Sequence, residues 1–496
     1  MTAPAKAAHD APPGQRITPS DSRYSTMVRG FNPRWVGSPK YVALCADTAQ
    51  ALDAVQRALD EDLRVTVRSG GHCYESFACG NDGGAIVDLS SMHGVYEDGE
   101  DVYCVEGGAT LWNVYSELYR RYAVTLPGGS CYSVGAGGHV TGGGYGLLSR
   151  KHGLIVDHLY EVEVVCVDAG GRARAVRVNR DSTDPDEREL LWAHLGGGGG
   201  NFGIVTRFWF RNPPKAPSEA HLVSMAWNWS ELSRNAFGDL IHSFGRFFAA
   251  NSAVGSPYDG LFALLHLTQN ARADSQIVLT AQYVGDEPAL LDEFTRTLSD
   301  SMPKPTAQRA PVGHQRPPAA GVKPQALSWL WATMQLDGGT PNQRGKYKSA
   351  YMLKAFPERQ IDVMWRHLGE PVDPNPRSLL QVDSYGCQVN AIAPDATAIP
   401  QRSSIMKLQF QAYWPTPEED KQNLAWIRAF YEDMYGPHGP VPDSVMDGCY
   451  VNYPDVDLGN WQQLYYKQSY ARLQRVKQRW DPGDVFNHLQ SIELPG

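Results

Sequence analysis

The chain has 496 residues, 42% of them apolar, and a formal charge of -9 with no dense block of lysine or arginine. That length supports a large core and two or three domains, and the charge argues against a nucleic-acid or anionic-membrane partner and for a neutral or weakly basic small molecule. The N-terminal stretch MTAPAKAAHDAPPGQR has no apolar h-region and no long uninterrupted apolar run occurs later, so a soluble protein made and kept in the cytoplasm is expected, as monomer or homodimer.

Residues 1–20 are rich in alanine and proline and are expected to be disordered. A helix follows with Asp47 or Thr48 as N-cap, its apolar stripe made by Leu52, Val55 and Leu59. Strands are expected at 64–68, 85–89 and 102–106, then a helix with Leu111, Val114 and Leu118 on one side, then a glycine-rich stretch at 127–146. The run VEVVCV at 162–167 is too continuously apolar for a half-exposed strand and belongs in a buried sheet. A second glycine run, 196–200, leads into the strand IVTRFWF, and the unit ends near Pro213 and Pro214.

Beyond residue 216 the texture changes. SMAWNW, LFALLHL and QIVLTAQYV read as strands alternating with amphipathic helices near 231–249, 287–299 and 417–435, which predicts an antiparallel sheet backed by helices. The proline-rich segment 303–324 reads as a surface loop, and the unit ends near 443. In the tail, Leu473, Val476 and Trp480 mark a helix that stops at Asp481-Pro482. The fold class is α+β, with units at 21–215 and 216–443 and a C-terminal segment, 444–496.

The stretch 127–146, PGGSCYSVGAGGHVTGGGYG, is almost half glycine, a composition that neither helix nor strand interiors favour and that lets backbone amides close on a flat or phosphorylated ligand. Cys131 lies near its start. His72 follows a strand end and a Gly-Gly turn in RSGGHCYE; alone it would brace a turn, but with Cys131 it forms a pair of nucleophiles in glycine-rich loops. Other readings are weaker. The match Gly198, Gly200, Gly203 to a dinucleotide fingerprint precedes a strand, the reverse of the required order, and His72, His139, His152 and His158 form no metal-ligand spacing. The eight cysteines include no C-x-x-C pair, which disfavours a zinc ribbon or a disulfide framework; a Cys73–Cys79 bridge is open but not favoured. Tyr385 with Asp383, and Tyr450 with Asn452 and Tyr453, read by themselves as aromatic-lined core.

Taken together, RSGGHCYE, the PGG-x-C run with GAGGHVTGGGYGLLSRKHG, GGGGGNFGIVT, YVNYPD and WDPGDVFNHLQSI resemble the berberine bridge enzyme-like family of FAD-linked oxidases, of the vanillyl-alcohol oxidase type. These motifs span nearly the whole chain, and it is most similar to bacterial oxidases of secondary metabolism.

The resemblance implies a two-subdomain FAD-binding domain, completed by the C-terminal segment, and a substrate domain. It implies FAD attached twice, through His72 and Cys131. Flavin contacts carried over are Arg68, Ser69, Gly70 and Gly71; Gly128, Gly129, Gly135, Gly137, Gly138, His139, Thr141, Gly142, Gly143 and Gly144; Gly200, Asn201, Gly203, Ile204 and Val205; and Tyr450, Asn452 and Tyr453. Tyr450 matches the proposed general base, Tyr385 its partner, and Asp383 is placed to tune them. The activity implied is oxidation of a hydroxyl on a bulky natural product or glycoside to a carbonyl, with O2 reduced to H2O2. Oxidative cyclisation or desaturation, oxidation of a free oligosaccharide, and a flavin carrier without turnover remain the alternatives. Lys467 and Ser469 stand where glycine and asparagine are common, and Trp480 replaces a usual tyrosine, which puts local flavin-edge contacts in doubt.

Overall fold

Three sheets organise the described residues of the computed structural model, which are 14–300, 302–312, 317–318, 320–337 and 343–496. The first sheet has the order Gln15–Ile17, Tyr41–Leu44, Ala85–Asp88, Val65–Arg68, parallel except at its first pair. The edge strand Gln15–Ile17 shows that order begins well before residue 20, because its backbone completes the ladder of Tyr41–Leu44. Residues 1–13 lie outside the described residues. The helix Thr48–Asp60 starts where Asp47 accepts a hydrogen bond from the Gln50 amide. Ala51, Ala54, Val55 and Ala58 form its buried face, while Leu52 and Leu59 flank it.

The second sheet is antiparallel, in the order Val95–Glu97, Val102–Glu106, Ile204–Arg211, Leu159–Val167, Ala173–Asn179. The continuous apolar run at 162–167 lies on an interior strand, paired on both sides. Helix Leu111–Tyr122 opens on a reciprocal Thr110–Asn113 capping box. The glycine stretch that follows is not all loop: Ala136–Thr141 forms a short helix whose Ala136 and Val140 enter the core. Small residues let this turn lie flat against its neighbours, which outweighs their poor helix propensity.

The third sheet has seven antiparallel strands in the order Gln325–Ser328, Glu219–Asn228, Gln276–Tyr283, Leu261–Thr268, Leu379–Ser384, Met406–Trp414, Arg344–Met352. In MKLQFQAYW the two faces are sorted by the strand period: Leu408, Phe410, Ala412 and Trp414 alternate with Lys407, Gln409, Gln411 and Tyr413. Phe410 meets Phe430 and Tyr431 of helix Asp420–Tyr435, so helices cover the apolar side. The edge of strand Arg344–Met352 is covered. Asn32 exchanges side-chain hydrogen bonds with both backbone groups of Gly345, and Tyr351 exchanges backbone bonds with the 447–448 segment.

Segment 303–324 is not simply a surface loop. Among its described residues, Thr306 bridges Ala226, and Val312 and Ala320 are buried. Helix Tyr470–Trp480 ends as its Asp481-Pro482 boundary predicts. Within it, the buried ammonium of Lys477 reaches Asp481 and the carbonyls of Asn201 and Phe486. No disulfide forms among the described residues, and Cys73 and Cys79 are not paired. Among the described residues no helix is long and apolar enough to cross a membrane.

Candidate active site

A cavity of about 350 Å³ opens between the glycine loops of the first two sheets and the polar face of the third. Strand Val65–Arg68 delivers the first loop. Arg68 borders the cavity while its guanidinium is held by Asp88 at 2.5 Å and by the Arg29 carbonyl at 3.1 Å, so its charge braces the turn. Ser69 donates its hydroxyl to the Gly107 carbonyl, 2.6 Å away. Gly70 and Gly135 then pass backbone to backbone: a Cβ on Gly70 would sit 2.4 Å from the Gly135 nitrogen. The imidazole of His72 stacks on Phe31 with ring centroids 4.1 Å apart, and its Nε2 lies 2.9 Å from Ser133 Oγ. Ser133 follows the half-buried Cys131 by two positions, so the two thinly separated loops bring His72 and Cys131 to one wall.

His139 faces the same space. Its Nε2 accepts from the Gly129 amide at 3.0 Å, and burial, with the Lys407 charge nearby, pushes its pKa down to about 4, so it is neutral at neutral pH. From the second glycine run, Gly200, Asn201 and Gly203 border the cavity with Val205. The Asn201 side chain is used to bind the Gly197 carbonyl, 3.0 Å, and the Ile492 amide, 2.8 Å.

The polar sheet face carries a hydrogen-bond chain whose direction is fixed at one end. Lys407 and Asp383, both buried, pair at 2.7 Å. A carboxylate only accepts, so Gln381 turns its amide nitrogen to Asp383, 2.7 Å. Its oxygen then accepts from Gln411 at 3.1 Å and faces His266 Nε2 at 3.0 Å. Gln411 gives a second N–H to Gln409, 2.8 Å, and accepts from the Tyr413 hydroxyl, 2.7 Å. Gln409 in turn donates to the Tyr74 hydroxyl at 2.9 Å, and Tyr74 stacks on Tyr347 at 3.6 Å.

Tyr450, Asn452 and Tyr453 close the site. The Tyr450 oxygen accepts from Asn452 Nδ2 at 3.0 Å and from the Tyr145 amide at 3.3 Å. Burial raises its pKa, while Lys407, Asn452 and the amides of Tyr145 and Gly144 oppose that rise. The Lys407 ammonium bonds the Tyr453 hydroxyl at 2.8 Å and stands 5.2 Å from the centre of the Tyr450 ring.

Tyr385 does not line the cavity. Its hydroxyl donates to the Gln401 carbonyl at 3.3 Å, and Tyr351 stands between it and Tyr450, with ring centroids 5.2 and 6.1 Å away. The expected tyrosine pair is therefore separated by one ring, and Tyr453 is the neighbour of Tyr450, at 5.0 Å. Gly128, Gly142, Gly143, Gly144 and Ile204 also lie behind the lining. Gly142 makes room for Asn452, Gly143 for Ile399 and Gly144 for Ile155, and Ile204 is core beneath the first sheet.

A profile described as "FAD binding domain" matches residues 39–175, and one described as "Berberine and berberine like" matches 449–493. Aclacinomycin-N/aclacinomycin-A oxidase of Streptomyces galilaeus is 42% identical over 505 residues, covering 96% of this chain and 89% of its own. The chain belongs to the berberine bridge enzyme-like family of FAD-linked oxidases. Hexose oxidase of Chondrus crispus is 36% identical over 523 residues, with 95% of this chain and 93% of its own covered. The crystal structure of a glycopeptide hexose oxidase complexed with teicoplanin superposes with a TM-score of 0.89 at 36% identity, covering 97% of this chain and 100% of that one. Like its relatives, this berberine bridge enzyme-like protein is an FAD-dependent oxidoreductase with O2 as acceptor.

The cavity wall fits that cofactor. Among the described residues, no backbone carbonyl accepts from the N–H groups of Ser69, Gly70 and Gly71, which leaves donors for an anionic group. Gly138 borders the cavity with nothing within 4 Å of where a Cβ would stand, so any side chain there would occupy ligand space. The departures at Lys467, Ser469 and Trp480 leave this wall untouched. Lys467 keeps the left-handed φ of +46° that glycine adopts freely and pairs with Asp447, and Trp480 donates to the Asp186 carbonyl at 3.1 Å.

Sequence reading missed Lys407, Gln381, Gln409, Gln411, Tyr74 and His266. Alternation in MKLQFQAYW was the available signal for Lys407, Gln409 and Gln411, whereas Gln381, Tyr74 and His266 join them only once the strands and loops are brought together.

Proposed function

We propose that FAD is attached bicovalently, through His72 and Cys131, and that the enzyme oxidises a hydroxyl of a bulky natural product or glycoside to a carbonyl with release of H2O2. Bound FAD supplies the hydride acceptor whose electrons pass to O2. Tyr450 is the base that takes the hydroxyl proton. The observation that carries this reading is the donor set around its oxygen. Asn452 gives one N–H to Tyr450 and the other to the His139 carbonyl, 2.9 Å, so the amide cannot be turned around, and the Tyr450 oxygen is held as an acceptor. The Tyr145 amide adds a second donor. These donors and Lys407 favour the phenolate, the form of Tyr450 that can take the hydroxyl proton; that transfer leaves the neutral phenol on the enzyme and the negative charge on the substrate oxygen. Asp383 keeps Lys407 in place, and Tyr385 backs Tyr351 from behind. General-base assistance of this kind contributes on the order of 10²- to 10⁴-fold.

The names of the relatives support the substrate class: they include an aclacinomycin oxidase, a hexose oxidase and a glycopeptide hexose oxidase complexed with teicoplanin. The test is intact mass and in-gel fluorescence after acid denaturation of wild type, His72→Ala, Cys131→Ala and the double variant, followed by peroxide detection with hydroxylated glycosides. Flavin retained by wild type and both single variants but lost from the double variant is the expected pattern. Flavin released from wild type by acid overturns the bicovalent attachment, and a carbonyl-free product overturns the alcohol oxidation.

A further inference from the structure

Beneath the edge strand Arg344–Met352, on the face away from the cavity, lies a buried ion cluster that the chemistry above does not use. Lys346 and Lys348 project there, two residues apart on one strand face, while Tyr347 points the other way to stack on Tyr74. Lys346 Nζ is 2.5 Å from Glu75 and 2.6 Å from Asp455, with all three side chains at most 2% exposed. Lys348 binds Asp455 at 2.7 Å and Asp457 at 3.0 Å, and Arg428 meets Asp457 from the solvent side at 2.8 Å. Three cations thus balance three carboxylates.

The carboxylates come from two loops that both line the site. Glu75 follows His72 by three residues, and Asp455 follows Tyr453 by two. Each loop crosses the edge strand: Tyr74 and Tyr453 lie on the cavity side, and Glu75 and Asp455 hook beneath it. The loops also touch directly, since the Val456 amide reaches Glu75 at 3.4 Å. Without the Lys346 ammonium between them, two buried like charges would face each other and force the loops apart.

We infer that Lys346 is a positioning residue that clamps the His72 loop to the Tyr450–Tyr453 loop across the edge strand, and so sets where the histidine stands for flavin attachment. The Cys131 loop touches the His72 loop through Ser133 but has an anchor of its own, through Tyr132 to Asp337 and Thr333, so losing the clamp moves it less. The inference rests on the proposed His72 linkage for one readout and is independent of it for the other.

The experiment compares wild type, Lys346→Met, Glu75→Gln and the double variant by peptide mass, scoring flavin on the His72 and Cys131 peptides, and by amide hydrogen exchange. In Lys346→Met the His72-linked fraction falls at least fivefold while the Cys131-linked fraction holds, and exchange at 70–77 and 450–458 rises at least tenfold together. Adding Glu75→Gln, which removes one of the repelling charges, restores at least half of the His72 linkage. Should Lys346→Met fail to fold, Glu75→Gln alone is scored, with a smaller fall at His72 expected and wild-type linkage and exchange overturning the clamp. Equal loss at both attachment sites, or unchanged exchange in the two loops of folded Lys346→Met, also overturns it. Absence of the His72 peptide from wild type refutes the attachment reading alone, and the exchange arm still decides the clamp.

Discussion

Asn452 donates to the Tyr450 hydroxyl at 3.0 Å while its own amide oxygen lies against Gly142, where a Cβ would stand only 1.9 Å away. Tyrosine, asparagine and glycine turn are thus in register. Gly142→Ala must displace Asn452 and cost Tyr450 a donor, with little effect on the fold because the side chain that moves is short and partly exposed. The expected outcome is a fall in kcat of about tenfold, the equivalent of one hydrogen bond of about 1.4 kcal/mol. Gly138→Ala, by contrast, meets no protein atom within 4 Å and should reduce flavin content rather than stability, measured by absorbance ratio and Tm.

Tyr450→Phe removes the acceptor and leaves the ring. It should keep wild-type flavin content and lose turnover by roughly 10²- to 10⁴-fold in peroxide release. A variant with near wild-type kcat would remove Tyr450 from the chemistry.

Lys407→Met tests the electrostatics of the same group. Lys407 lowers the Tyr450 pKa against the burial that raises it, so its removal moves that pKa further up. A base works when deprotonated, so the ascending limb of the kcat/KM profile shifts to higher pH, and activity near neutrality falls. Asp383 is also left buried without its cation, a loss of about 3–5 kcal/mol of stability. Lys407→Arg should recover part of the stability. A profile unmoved in a folded Lys407→Met variant rules out this coupling.

Much of this arrangement could be read along the chain, because its causes are local. Asp47 caps its helix from the next residue, VEVVCV declares a buried strand by composition, and Asp481-Pro482 stops the last helix. The family motifs likewise lie in single stretches. The polar chain from Lys407 to Tyr74 is different, since it exists only after strands pair: Asp383 faces Lys407 through the register of two strands. Glu75 and Lys346 are 271 residues apart, and neither position is unusual until the edge strand sets them together. Tyr385 misled for the same reason, because a tyrosine in a promising motif can point into the core, and one intervening ring, Tyr351, decides it.

The buried histidines give the fold a defined response to acid. His139, His194 and His266 are each held by burial at a pKa of about 4, against the usual histidine value of 6.5. Between those values the unfolded chain binds protons that the folded one refuses, so stability is lost as pH falls from 6.5 towards 4 and levels off below. Each group contributes a slope of about 1.4 kcal/mol per pH unit across that window. Urea midpoints measured at pH 7.5, 6.5, 5.5 and 4.5 should therefore be nearly constant over the first step and drop over the next two. His194 packs edge-on against Phe202 at 5.7 Å, which makes His194→Phe a tolerable replacement that cannot titrate. That variant should flatten the acid limb by about one proton. An acid limb as steep as that of wild type would mean that His194 is not held neutral by its surroundings.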